Sequence, residues 1–184
     1  NVSDPSIITV AGHILPKELT HARMMTAWVQ RLLADPSEAL LLAARAHHVR
    51  RWETPRTSFP RGRRGYLRWR RTLQGIHAEH ARRILSETGY DEATITRVEH
   101  IIRKQLPSHD PDGQIFEDAL TLVFLETQLH DLSTRADSVT MESVLRKTWR
   151  KISPVARELA LQADLDPRDR ELLKRAVSQD DTLS

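Results

Sequence analysis

Four histidines and one aspartate sit where helical spacing places apolar residues, and their side chains are the ones best suited to chemistry. His21 shares a stripe with Met25, Trp28 and Leu32, His47 follows Leu40 and Ala43, and His48 follows Leu41 and Ala44. His77 lies with Leu73, Ala81 and Ile84, and Asp118 with Ile115, Leu122, Leu125 and Leu129. A polar group on such a face needs a partner, and a buried carboxylate must be paired, protonated or bound to a metal. Any one of these histidines alone is more often a hydrogen-bonded core residue than a ligand, and an arginine competes with a metal for Asp118. Jointly, imidazoles from three helices and a carboxylate from another make a site for a divalent transition metal. The 184-residue chain has no Cys, which excludes disulfides, zinc fingers, iron–sulfur clusters and thiol nucleophiles and leaves His, Asp and Glu to hold a metal.

Arginine is the second signal. Residues 50–71 carry nine arginines (50, 51, 56, 61, 63, 64, 68, 70 and 71) against one acid, Glu53, while the remainder has 19 basic and 24 acidic residues. The net charge of +3 therefore conceals one strongly basic segment beside the histidine pair, and an anion is its expected partner. Guanidinium binds phosphate in a bidentate fork, and Trp52, Tyr66 and Trp69 could stack on a base. Gly-rich phosphate loops and dinucleotide fingerprints are absent.

These residues need helices to position them. Apolar residues recur at three- and four-residue steps over 17–34, and again over 37–51 with Ser37 as N-cap. Further helices are expected over 66–88, 92–105 with Asp91 as cap, 114–132, 139–151 and 154–164, with a short one over 167–177. Residues 1–16, with Pro5, Gly12 and Pro16, are expected to form an irregular arm, 53–64 a loop and 178–184 a polar tail. The expectation is all-α, with no strand and a single domain over 17–177. No apolar run approaches the length of a membrane span, so a cytoplasmic, non-membrane protein is expected.

His21-Ala22-Arg23, the run Leu41 to Val49 with His47-His48, His77-Ala78-Glu79-His80 and Glu117-Asp118-Ala119 together resemble the HD-domain superfamily of metal-dependent phosphohydrolases, over about residues 17–135. The resemblance implies a bundle of five core helices with a C-terminal helical extension, and a first-helix His, a doublet ending the second helix, further His residues and a last Asp as ligands. At closer range His48 to Arg56, Gly65 to Arg70 and Leu145 to Lys151 resemble a family known as domain of unknown function 4202, which supplies no activity. Where the superfamily has a His-Asp doublet this chain has His47-His48, and an imidazole does not bridge two metals. A mononuclear centre of Mn, Fe, Zn or Mg is therefore expected, with His21, His47 or His48, His77 and Asp118 as candidate ligands.

The function implied is a divalent-metal-dependent phosphohydrolase acting on a nucleotide or small phosphorylated compound, with metal-bound water as nucleophile. Glu79 or His77 would manage the proton, with His80 nearby, and Arg50, Arg51, Arg56, Arg64, Arg68, Trp52 and Trp69 would hold the substrate. Two alternatives stay open: a mononuclear non-haem iron oxygenase, and an inactive module binding a nucleotide or RNA. A homodimer is compatible with the apolar C-terminal helices.

Overall fold

The computed structural model describes residues 4–10 and 12–178. The protein is all-α apart from one small hairpin, β1 (Ile7–Val10) and β2 (His13–Pro16). Helices α1 (Lys17–Leu32), α2 (Glu38–Ala46), α3 (Gly62–Glu87), α4 (Glu92–Arg103) and α5 (Pro111–Thr127) follow. They are succeeded by α6 (Leu129–Ser133), α7 (Ser138–Trp149), α8 (Pro154–Gln162) and α9 (Pro167–Ser178). No helix among the described residues is long and apolar enough to cross a membrane. The residues group into two compact units, residues 1–116 and 117–184, with the boundary inside α5.

In the first unit α2 packs against α1, α3 and α4. Its buried face is Ala39, Leu40, Ala43 and Ala44, and the small side chains let neighbouring backbones approach. Met25, Trp28 and Val29 of α1 and Ile95, Val98, Ile101 and Ile102 of α4 complete this core. Ser37 and Asp91 cap α2 and α4 as expected, accepting from the amides of Leu40 and Thr94. The second helix ends at Ala46 rather than near Arg51, because Arg50 adopts φ 55°, and a 3-10 turn over Arg51–Glu53 follows. That reversal turns Arg51 back toward α1.

The expected irregular arm is instead an antiparallel hairpin, Ile7 opposite Pro16 and Val10 opposite His13, lying on α1. Ile7, Ile8, Thr9 and Val10 favour extended backbone, but a run of four such residues shows no polar–apolar alternation, which hid the strand. Gly12, at φ 78°, supplies the positive dihedral that so short a connection needs. The expected polar tail lies, from residue 179 on, outside the described residues.

Helix α3 begins four residues earlier than the spacing predicts. Its first turns stand over Pro60, and a Cβ on Gly65 would lie 1.8 Å from the Pro60 carbonyl oxygen. Gly65→Ala should therefore cost about 1–3 kcal/mol, as overpacking against backbone does, measured by chemical denaturation. Gly62→Ala has free space and is the control for helix composition, although its φ of 82° carries its own strain.

In the second unit α7 and α9 pack together and α6 touches both. Asp169 of α9 is buried, and its carboxylate accepts hydrogen bonds from the Ser133 hydroxyl and from Nδ1 of His130, at 2.9 Å for the latter. This bond holds the His130 imidazolium above its ordinary pKa. A raised folded-state pKa contributes stability that is present below about pH 6.5 and is lost as pH rises through the folded value. An NMR titration of His130 should give a pKa above the ordinary one, and Asp169→Asn should return it there.

Candidate metal centre

The first unit brings His21, His47, His48 and His77 together, with His48 in the middle. Its ring centroid lies 5.7 Å from that of His21, 4.0 Å from that of His47 and 5.9 Å from that of His77. His21 projects from the second turn of α1, His47 and His48 from the end of α2, and His77 from the middle of α3. Each helix supplies its histidine on the face it buries, and His21, His47 and His77 are all buried.

Hydrogen bonds settle the orientation of two of the rings. Nδ1 of His77 donates to the Val49 carbonyl at 2.8 Å, and Nδ1 of His47 to the Ala44 carbonyl at 2.9 Å. In both, the other nitrogen then carries the lone pair, the arrangement in which a backbone carbonyl orients a metal-binding imidazole. Both nitrogens of His21, Nδ1 of His48 and Nε2 of His77 are buried without a hydrogen-bond partner among the described residues. Such orphaned atoms are rare in a folded core, since each forfeits its hydration.

A carboxylate completes the cluster, and it comes from Glu18. Its Oε2 lies 2.8 Å from Nδ1 of His48, outside hydrogen-bond geometry, and 3.8 Å from Nδ1 of His21. One donor atom from each of Glu18, His21 and His48 falls within 4.8 Å of the others. Glu18 is held by its backbone as well, because its amide donates to Oδ2 of Asp4 at 2.9 Å while the amide of Ser6 donates to Oδ1 at 2.8 Å. Asp4 thereby caps α1 from outside the helix, where Pro16 has no side chain to do so. Sequence reasoning missed Glu18, although its place three residues before His21 puts it on the same helical face.

Burial controls the protonation of the cluster. Desolvation pushes His21 and His77 down to about 4, and His47 and His48 well below their ordinary value. All four are neutral near pH 7, so each ring has one lone pair; that of His48 is at Nε2, where Arg51 donates, and its Nδ1 becomes available to a metal once Arg51 leaves and the ring takes its other tautomer. Burial also raises the Glu18 carboxyl, opposed by the charges of Arg51, His21 and Lys17. A divalent cation fits this donor set, since it would satisfy the orphaned nitrogens and compensate a buried carboxylate in one step.

Arg51 is the cation present in the cluster. It donates to Nε2 of His48 at 2.7 Å, its Nε is 3.8 Å from Oε1 of Glu18, and its guanidinium stacks 5.0 Å from the Trp69 ring centroid. Trp69 is in turn anchored by donating to the Thr54 carbonyl at 2.9 Å.

The other expected site residues of the first unit stand outside this donor set. Glu79 is exposed on α3, and His80 is half-buried beside Arg83. Arg50 pairs with Glu53 on the surface, and Arg56 donates to the carbonyls of Phe59 and Pro60, closing the loop rather than facing a ligand. Arg64 and Arg68 are exposed and Trp52 is half-buried. Asp118 is fully buried in the second unit, where its Oδ1 accepts the amide of Ser153 at the entry to α8, 2.9 Å away. Within the first unit the carboxylate beside the imidazoles is that of Glu18.

Fold and site together define an all-α protein with a buried cluster of neutral imidazoles and one carboxylate. The chain belongs to the family described as Domain of unknown function (DUF4202), whose profile matches residues 1–173. No curated protein and no solved structure matches it.

Both nitrogens of His21 cost stability in the metal-free protein. His21→Leu, close in volume and free of polar atoms, should leave the metal-free protein unchanged or stabilise it by about 1–3 kcal/mol in urea denaturation. A comparable loss of stability would mark His21 as a structural residue.

Proposed function

We propose that the protein is a cytoplasmic, divalent-metal-dependent phosphohydrolase acting on a nucleotide or small phosphorylated compound, built on an HD-domain-like helical bundle. The observation that carries this reading is the set of buried nitrogens without partners on His21, His48 and His77, those of His21 and His48 beside the buried Glu18 carboxylate, with an arginine already at the cluster. Glu18, His21, His48 and His77 would hold a single metal. Bound there, a divalent cation supplies Lewis-acid polarisation of a phosphoryl oxygen and acidifies a coordinated water.

The protein's own groups do the rest. The Val49 carbonyl fixes the His77 tautomer and presents Nε2. Asp4 holds the first turn of α1 and with it the Glu18 carboxylate. Arg51, released from Nε2 of His48, would take a phosphate in its planar fork, and Trp69, stacked on the guanidinium, keeps it close to the site. Lys17, whose charge acts on both Glu18 and His21, adds to the positive field that an anionic substrate would meet.

A second reading is favoured by one specific feature. Glu18, His21 and His48 form a set of two histidines and one carboxylate, the donor set of non-haem iron oxygenases. Metal analysis after anaerobic purification separates the two, since iron with oxygen consumption supports the oxygenase and manganese, zinc or magnesium supports hydrolysis.

Reloading chelated protein with each metal and assaying a nucleotide panel should restore product release in at least one case. Equal hydrolysis by chelated protein overturns the proposal. Glu18→Gln should weaken metal binding by more than the roughly 10–100-fold that loss of an outer-shell partner causes. Arg51→Gln should retain metal and raise KM by roughly 10–100-fold, the loss of one charge-assisted phosphate contact.

A further inference from the structure

Arg51 connects the buried cluster to the surface. Its side chain is 27% exposed, against 15% for His48 and 6% for Glu18, so of the three it is the one solvent reaches best. The backbone sets this position. Arg50 takes φ 55°, a left-handed conformation disfavoured for a residue with a Cβ, and the 3-10 turn that follows brings the Arg51 guanidinium back to His48. Two charges act on that guanidinium in opposite senses, Glu18 attracting it and Arg70 repelling it. An anion arriving from solvent would compete with Glu18 for Arg51 and relieve its repulsion with Arg70.

The contact with His48 also decides which nitrogen of the ring is protonated. A guanidinium only donates, so the 2.7 Å contact at Nε2 occupies that nitrogen's lone pair and leaves the single proton of the neutral ring on Nδ1. Nδ1 is the His48 atom that stands 2.8 Å from Oε2 of Glu18, and it is buried without a hydrogen-bond partner. The proton therefore sits among the candidate donor atoms of Glu18 and His21, at a nitrogen that can ligate only through a lone pair. Nδ1 gains that lone pair when its proton leaves and another is taken at Nε2, with no change in the charge of the ring. A protonated Nε2 is itself a donor and cannot face the guanidinium, so Arg51 and a ligating Nδ1 exclude each other.

We infer that Arg51 is a latch on the candidate metal centre. While it donates to His48 it holds the ring in the tautomer that cannot ligate at Nδ1, and an oxyanion that draws the guanidinium into its own fork opens the centre. The inference rests on the metal reading of the cluster and adds to it a coupling between metal and phosphate. A phosphate oxyanion suits the latch because it accepts two parallel N–H bonds from one guanidinium. The coupling is reciprocal, so metal raises affinity for phosphate by the factor with which phosphate raises affinity for metal.

The first measurement needs no variant. In two-bond ¹H–¹⁵N spectra of the metal-free full chain, His48 should carry its proton on Nδ1, and added zinc should move it to Nε2. A proton on Nε2 in the metal-free chain overturns the proposal. The second measurement is manganese binding to the metal-stripped chain, read from the electron paramagnetic resonance of the free ion with and without saturating inorganic phosphate. Phosphate should tighten manganese binding at least about fivefold. Arg51→Met keeps an unbranched side chain and has no donor. Without phosphate it should bind manganese roughly 10–100-fold more tightly than the wild type, the effect of removing one charge-assisted hydrogen bond, and most of the gain from phosphate should vanish. No phosphate effect in the wild type, an equal effect in Arg51→Met, or an unchanged manganese affinity in that variant overturns the latch and leaves the metal centre standing. Failure of both chains to bind manganese or zinc overturns the metal centre and the latch with it. Circular dichroism verifies that Arg51→Met is folded, and if it is not, the tautomer and the wild-type phosphate effect carry the test.

Discussion

Removing four imidazoles and a carboxylate from water is the constraint around which the first unit is organised. The interior where α1, α2 and α3 meet is apolar, and a protonated imidazole there has too few partners to offset its lost hydration. The rings are consequently neutral, and their orientation falls to the few backbone groups within reach, the carbonyls of Ala44 and Val49. What those carbonyls leave over, together with the unpartnered nitrogens of His21, is costly to stability and useful chiefly to something that arrives with positive charge. Arg51 partly meets that demand from within the chain, which makes the site a buried ion network in the absence of a metal and a candidate centre in its presence.

The local backbone around the site follows from this demand. A helix ending cleanly at Arg51 would carry its guanidinium onward along the α2 axis. The left-handed residue at Arg50 instead folds Arg51 back onto His48, and the loop that follows is closed by Arg56 on its own carbonyls and by Trp69 on Thr54. One end of the basic segment is thus drawn into the buried cluster while the other, from Arg61 on, remains in solvent. The segment that reads as one basic run in sequence has two physically different parts, one desolvated and paired, the other hydrated and without carboxylates.

The second unit uses the same residue types for a different end. Asp169 is as buried as His21, yet both its oxygens have donors, from Ser133 and His130, and the pair ties α6 to α9. Satisfied polar groups of this kind specify packing, whereas orphaned ones are retained at the expense of stability. That contrast separates the histidine cluster of the first unit from the His130–Asp169 pair of the second more clearly than their composition does.

Much of the helical framework was legible in the sequence, because periodicity, Ser37 and Asp91 act over a few residues and report locally. The same held for His21, His47, His48 and His77, whose positions on apolar faces follow from a period of 3.6. The hairpin was not legible, since four consecutive β-branched residues carry no alternation and the partner strand His13–Pro16 shows none either. Glu18 was not legible either. A carboxylate in the first turn of a helix is ordinary in sequence, and only the fold of Asp4 and the hairpin over that turn, with His48 arriving from α2, made it a buried partner of the imidazoles. Sequence determines which faces are apolar because that depends on neighbours a few residues away. Which polar groups end up sharing a site depends on contacts between residues thirty or more positions apart, and those only the tertiary structure decides.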